Sequence, residues 1–246
     1  MIDLFLHIPK TAGTSLATAL GAGLPEAAVW RSYSPTATDE FCRHFGSGGR
    51  TTSYRLGTAH LPYTAVNRCP LGTTRTFTVL RHPVERALSH LQFALSRERD
   101  HWVKSITSAP ASPAVLELPE LRRLFTNFQT RLLGADIPVS ATGPHVESWA
   151  ARSTCPNQLT LWRAKARLRA MPWIGVTERL EQDLLELAAL IGRPLQLDRE
   201  NVRPPHERLC DEDQDLRRVL GEINVLDLEL YEFALALVDA QRGGED

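Results

Sequence analysis

The chain has 246 residues, of which 43% are hydrophobic and 23% charged, enough apolar material for a sizeable core. Its net charge of −1 supplies no broad basic field for nucleic acid or a long polyanion, and no apolar stretch is long enough to span a bilayer. Cysteines at 42, 69, 155 and 210 form no Cys-x-x-Cys, and the histidines show no ligand spacing, so no metal is expected. Dispersed cysteines suit a reducing cytoplasm. Met1 leads straight into an apolar run without a basic flank, so no signal peptide is expected.

The first apolar run reads as a buried strand within residues 2–8, and a helix is expected at 14–21. Between them lies His7-Ile8-Pro9-Lys10-Thr11-Ala12-Gly13-Thr14-Ser15. A strand, a short loop of small and hydroxyl residues and a helix make an anion cradle, with backbone N–H groups and the positive helix end facing the ligand. Gly13 permits close backbone approach, Thr14 and Ser15 offer hydroxyls, and Lys10 a mobile charge. The plainer reading is a strand-to-helix turn capped by Thr or Ser. Nucleotide triphosphate loops end in Gly-Lys-Ser/Thr; here the lysine precedes the glycine.

Loops are expected around 46–53 and 107–113, with a strand at 54–58 between the first loop and the next motif. Residues 75–80 form a β-branched strand ending in Arg81-His82-Pro83. A triphosphate enzyme would place a metal-binding Asp near such a strand end; this chain places an arginine there. Pro83 opens a helix over 83–98. Arg81 and Ser89, two turns into that helix, can reach one anion. Arg86 is explained as well by a surface ion pair with Glu85. Further helices are expected at 115–133, 157–170, 178–191, 212–223 and 225–241, with a strand at 172–177 and a frayed tail over the last four residues. Strands alternating with long helices predict one α/β domain over 1–246 with a parallel sheet covered on both faces, and a ligand outside the carboxyl ends of the strands.

Pro9 to Ser15 together with Leu80-Arg81-His82-Pro83-Val84-Glu85-Arg86-Ala87-Leu88-Ser89 resembles the sulfotransferases that use 3′-phosphoadenosine-5′-phosphosulfate (PAPS), in the branch containing heparan sulfate 2-O-sulfotransferase and bacterial family 2 proteins. Gly57 to Tyr63, Asn127-Phe128-Gln129-Thr130-Arg131, Gly175 to Arg179 and residues 226–234 extend the likeness over nearly the whole chain. The resemblance implies a P-loop-like three-layer αβα sandwich with a central parallel sheet and additional helices. It implies that Lys10, Thr11, Ala12, Gly13, Thr14 and Ser15 bind the 5′-phosphosulfate, and that Arg81 and Ser89 bind the 3′-phosphate. Asn201 and Arg203 are weaker nucleotide-binding candidates in a proline-rich connector. Two departures stand out: His82 occupies a position usually Asp or Asn, and Thr58-Ala59 replaces a stretch holding a second histidine.

Sulfuryl transfer to a hydroxyl needs a proton acceptor, and a histidine with reference pKa about 6.5 suits. By resemblance His60 is that base, and Lys10 also offsets charge on the leaving phosphate. Glu85 is the backup base. His7 reads as a buried, hydrogen-bonded histidine. Arg122, Arg123, Arg131, Arg163, Lys165, Arg167 and Arg169 read as a solvated helix face, so nucleic acid is not expected as a partner. Trp102, Trp149, Trp162 and Trp173 are divided between core packing and an acceptor pocket. The expected reaction moves a sulfuryl group to a carbohydrate or small-molecule hydroxyl in the cytoplasm, without a metal. A kinase-like phosphotransferase and a non-catalytic nucleotide-binding protein are the alternatives.

Overall fold

The computed structural model describes residues 1–33, 37–45, 53–67, 74–95, 112–136, 155–197 and 213–242. Five strands, β1 (Ile2–Leu6), β2 (Val29–Ser32), β3 (Leu56–Ala59), β4 (Thr74–Leu80) and β5 (Ile174–Val176), form one sheet in the order β2-β3-β1-β4-β5. All pairings are parallel, with Leu4 level with Gly57 on one side and with Thr76 on the other.

Period-two alternation sends side chains to two cores. Phe5, Phe77 and Val79 pack beneath α1 (Gly13–Gly21) and a later helix at Leu180–Ile191. Leu4, Leu6 and Leu80 face the opposite, larger core. That second layer contains α2 (Ala37–Phe45), α3 (Tyr63–Val66), α4 (Pro83–Leu95), α5 (Pro119–Phe125), α6 (Phe128–Gly134) and α7 (Gln158–Ala170). After α8 (Leu180–Ile191) on the first face, α9 (Gln214–Ile223) and α10 (Val225–Arg242) return to the larger core. The expected α/β fold, a three-layer αβα arrangement around a parallel sheet with additional helices, is therefore what the chain adopts.

Three features depart from expectation. The span 115–133 is not one helix: a 3₁₀ turn (Pro113–Glu117) precedes α5, and the chain breaks at Thr126 and Asn127, whose φ of 44° is left-handed. Strand β2 and helix α2 were not anticipated; Trp30 of β2 packs against Phe41 and Phe45 of α2, tilted on the first and edge-on to the second, with ring centroids 5.7 and 5.2 Å apart.

Strand order fixes where a ligand can enter. From β1 the chain crosses through α1 toward the β2 edge, and from β4 it leaves through α4 toward the β5 edge. Right-handed crossovers in opposite directions put α1 and α4 on opposite faces of the sheet. The connections leaving the adjacent strands β1 and β4 thus diverge at the carboxyl ends, which opens a crevice at the switch point.

Candidate active site at the β1–β4 crevice

The loop after β1 is held in an unusual backbone form. The His7 N–H extends the ladder by donating to the Ala59 carbonyl at 3.0 Å, and the buried Thr11 hydroxyl closes the turn on the Ile8 carbonyl at 2.9 Å. Lys10 and Ala12 have φ of 72° and 59°. Left-handed non-glycine residues cost about 1 kcal/mol or more each and concentrate where a function over-determines the backbone. Ala12 is the N-cap of α1, so the Thr or Ser cap of the plainer reading is not used. The first helical bond runs from Leu16 N–H to the Ala12 carbonyl at 3.3 Å, and the first turn carries no acidic residue. A helix end without a side-chain cap or a carboxylate retains its partial positive charge for an anion. Thr14 is exposed and Ser15 half-buried on that turn.

Gly13 is required by a neighbour. A Cβ there would lie 2.0 Å from His7 Cδ2 and 2.1 Å from Nε2, so the imidazole is the floor on which the loop rests.

The two junctions meet. Arg81, one residue past β4, donates from Nη1 to the Lys10 carbonyl at 3.2 Å. Lys10 returns toward α4, its Nζ standing 4.1 Å from the Phe93 ring centroid. Ser89 and Phe93 are four residues apart and share a helical face. One crevice therefore gathers Lys10, Arg81, the α1 amino end and the Ser89 face of α4.

His60 follows β3 and lies among rings. Its centroid is 4.6 Å from that of His7 and 4.7 Å from that of Tyr33. Tyr33, 41% exposed, shares a 2.9 Å hydrogen bond between its hydroxyl and the Thr58 hydroxyl. His7 stacks on Phe5, and its Nδ1 has no hydrogen-bond partner among the described residues. Burial, then the neighbouring His60 and Lys10, hold His7 well below the usual imidazole range, so it is neutral. His7 is thus buried as expected, but its Nδ1 lacks the hydrogen bond that was expected with burial; the ring is joined to His60 although no local pattern linked them.

Behind Arg81 stands a reciprocal pair of helix caps. The Asp227 carboxylate of α10 accepts the N–H groups of Gln129 (3.0 Å) and Thr130 (2.7 Å), capping α6. In return Asn127 Oδ1 accepts the N–H groups of Leu226 and Asp227, both at 3.0 Å, capping α10. Asn224 Oδ1 receives the Asn127 N–H at 2.8 Å. Arg86 is not the surface partner of Glu85: it is fully buried, with Nη1 3.3 Å from His90 Nδ1 and its guanidinium over the Phe128 ring at 4.5 Å. Glu85 instead pairs with Arg217 at 2.7 Å. Arg131, expected on a solvated face, is buried and donates to the Thr126 carbonyl at 2.5 Å; burial lowers its pKa to about 10. Arg163 and Lys165 keep to the surface pattern, pairing with Asp136 and Glu229. Arg167 donates to the Leu133 carbonyl and to Asp136.

His82 donates its N–H to Glu178 Oε1 at 3.0 Å and sets its ring against Tyr231, whose hydroxyl donates to Glu178 Oε2 at 2.9 Å. Its backbone thereby ties the β4 end to the turn after β5. Trp173 is buried and Trp162 is 66% exposed. Asn201, Arg203, Trp102 and Trp149 lie outside the described residues.

No family model matches the chain, and no curated protein matches it. Among solved structures, mouse sulfotransferase SULT7A1 complexed with PAP is similar at 16% identity and a TM-score of 0.41. The likeness covers 90% of this chain and 63% of that one, so the chain spans less than two thirds of the length of its structural neighbour. Tyr33 and Phe93 had no signal of their own in the sequence; Gln129 and Asp227 stood in resembling stretches without a role.

Proposed function

We propose that the chain is a PAPS-dependent sulfotransferase acting on a carbohydrate or small-molecule hydroxyl, with residues 1–246 forming one catalytic domain. The observation that carries the reading is the Arg81–Lys10 hydrogen bond, which makes one cationic crevice of two strand-to-helix junctions. The residues fit a donor with two separated anionic groups: an α1 amino end with no side-chain cap and no acidic residue in its first turn, beside Lys10, and a second cation, Arg81, on the α4 side. The donor supplies an activated sulfuryl group. In this reading the amino end of α1, with Lys10, Thr14 and Ser15, holds the phosphosulfate, and Arg81 and Ser89 hold the 3′-phosphate. The Thr11 hydroxyl serves the loop itself, since it is committed to Ile8.

His60 takes the proton of the acceptor hydroxyl as the acceptor oxygen–sulfur bond forms and the bridging sulfur–oxygen bond to phosphate breaks in line. Lys10 offsets the charge that collects on the departing phosphate oxygen. Acceptors enter on the side of Tyr33, whose exposed ring flanks His60. No helix among the described residues is long and apolar enough to cross a membrane.

The test is calorimetric titration of 3′-phosphoadenosine-5′-phosphate, beside ATP with Mg²⁺, into wild type and Arg81→Ala. Metal-free binding of the bisphosphate, weakened by the substitution, supports the reading. Preference for ATP, or no binding of either, sinks it.

A further inference from the structure

The backbone of Arg81 lies where the sheet can no longer hold it. The β1–β4 register ends at Leu6 and Thr78, and the β4–β5 register ends at Leu80 and Val176. Arg81 is the next residue, and its N–H and carbonyl have a different partner. The Arg81 N–H donates to Gln129 Oε1 at 3.0 Å, and Gln129 Nε2 donates to the Arg81 carbonyl at 2.9 Å. A backbone N–H can only donate and a carbonyl can only accept, so the pair of bonds fixes which end of the amide faces which group. One side chain thereby acts as an extra strand for one residue, fixing the peptide planes on both sides of Arg81.

Gln129 is itself immobilised. It is fully buried, and its own N–H is held by the fully buried Asp227. Asp227 is tied through its N–H to Asn127, two residues before Gln129. The side chain that clamps Arg81 is thus mounted on a closed ring of hydrogen bonds between α6 and α10.

We infer that Gln129 is a positioning residue for the anion site: its amide, anchored by Asp227, sets the Arg81 backbone so that the guanidinium reaches the Lys10 loop and the bound anion. The inference rests on the proposed function for the identity of that anion, but its geometric content does not. Gln129 is not a catalytic residue, since it contacts the backbone of Arg81 and reaches the ligand only through it.

Two measurements on the full chain test it. Amide hydrogen exchange by NMR on Gln129→Leu and the longer, unbranched Gln129→Met, each first checked for a cooperative melt, reads the clamp without any ligand. Faster exchange of the Arg81 N–H, with core strand amides unchanged, is expected; unchanged Arg81 exchange overturns the inference. Titration of 3′-phosphoadenosine-5′-phosphate then reads the consequence. Loss of two buried hydrogen bonds predicts roughly tenfold weaker binding in either variant. In the Arg81→Ala background the same substitution should add almost nothing, because the guanidinium it positions is gone. Equal losses in both backgrounds would mean a general structural effect and overturn the inference. Absence of binding by wild type would overturn the sulfotransferase reading, and the exchange result would still decide the clamp.

Discussion

His7 and His60, which follow the ends of β1 and β3, meet at an interplanar angle of 70° with ring centroids 4.6 Å apart. His7 is the buried member, wedged between Phe5 and the backbone of Gly13, while His60 is half-buried beside the partly exposed Tyr33. The loop after β1 and the candidate base thus share one support, so changes under the loop should be felt at His60.

Gly13→Ala should test that support most directly. The new methyl overlaps the His7 ring, and overpacking of this kind costs about 1–3 kcal/mol. Thermal melts should show the loss, and bisphosphate affinity should fall with it. Combining Gly13→Ala with His7→Ala makes room for the methyl, so the double variant should be more stable than the sum of the two single losses implies. Simple additivity would mean that the contact between glycine and imidazole does not matter.

Stability should depend on pH through His7. Its folded pKa is depressed by burial and by the facing His60 and Lys10, with the Tyr33 ring on its edge. The unfolded chain therefore takes up a proton below about pH 6.5 while the folded chain does not. Stability rises with pH across that interval and is fully present above it. On acidification the loss approaches about 1.4 kcal/mol per pH unit from this group alone. Denaturant titrations of wild type and His7→Phe between pH 7.5 and 5 should show a shallower slope for the variant. Equal slopes would remove His7 as the source.

Replacing His60 should separate chemistry from binding. His60→Ala is expected to lower the transfer rate by about 10²–10⁴-fold, the usual contribution of a positioned general base. Bisphosphate affinity should be essentially unchanged, in contrast to Arg81→Ala. A variant that transfers at the wild-type rate would exclude His60 as the base.

Asp227→Asn keeps the shape of the side chain but leaves one of the two α6 N–H groups facing an amide NH₂. A buried unsatisfied donor costs about 1–3 kcal/mol, which a melting curve resolves. The damage should spread to Arg81 through Gln129, so weaker bisphosphate binding is expected alongside the lower melting temperature. Full affinity in a destabilised variant would show that the caps serve the fold alone.

Much of this molecule was legible in the chain. The apolar run at 2–6 and the β-branched run at 75–80 specify buried strands by local pattern, and Pro83 and the small residues at 12–15 mark helix starts, because turn and helix chemistry act over a few residues. Both strand-to-helix junctions were therefore visible, with Lys10 as a candidate in the first and Arg81 with Ser89 as candidates in the second. Strand β2 was not, since four residues, Val29-Trp30-Arg31-Ser32, are too few to establish a period. The break at Asn127 was hidden as well, because its left-handed backbone is stabilised by Asn224 and by the amino end of α10, about a hundred positions away. Arg86 and Arg131 look like surface charges in any local window; the packing of Phe128 and the facing Asp227 put them inside. The sequence by itself determined which elements form and which residues carry charge and hydroxyls. Only the tertiary structure decided that Arg81 bonds Lys10, that Gln129 holds Arg81 and that His7 backs His60, because each of these contacts depends on the strand order and on buried polar groups finding distant partners.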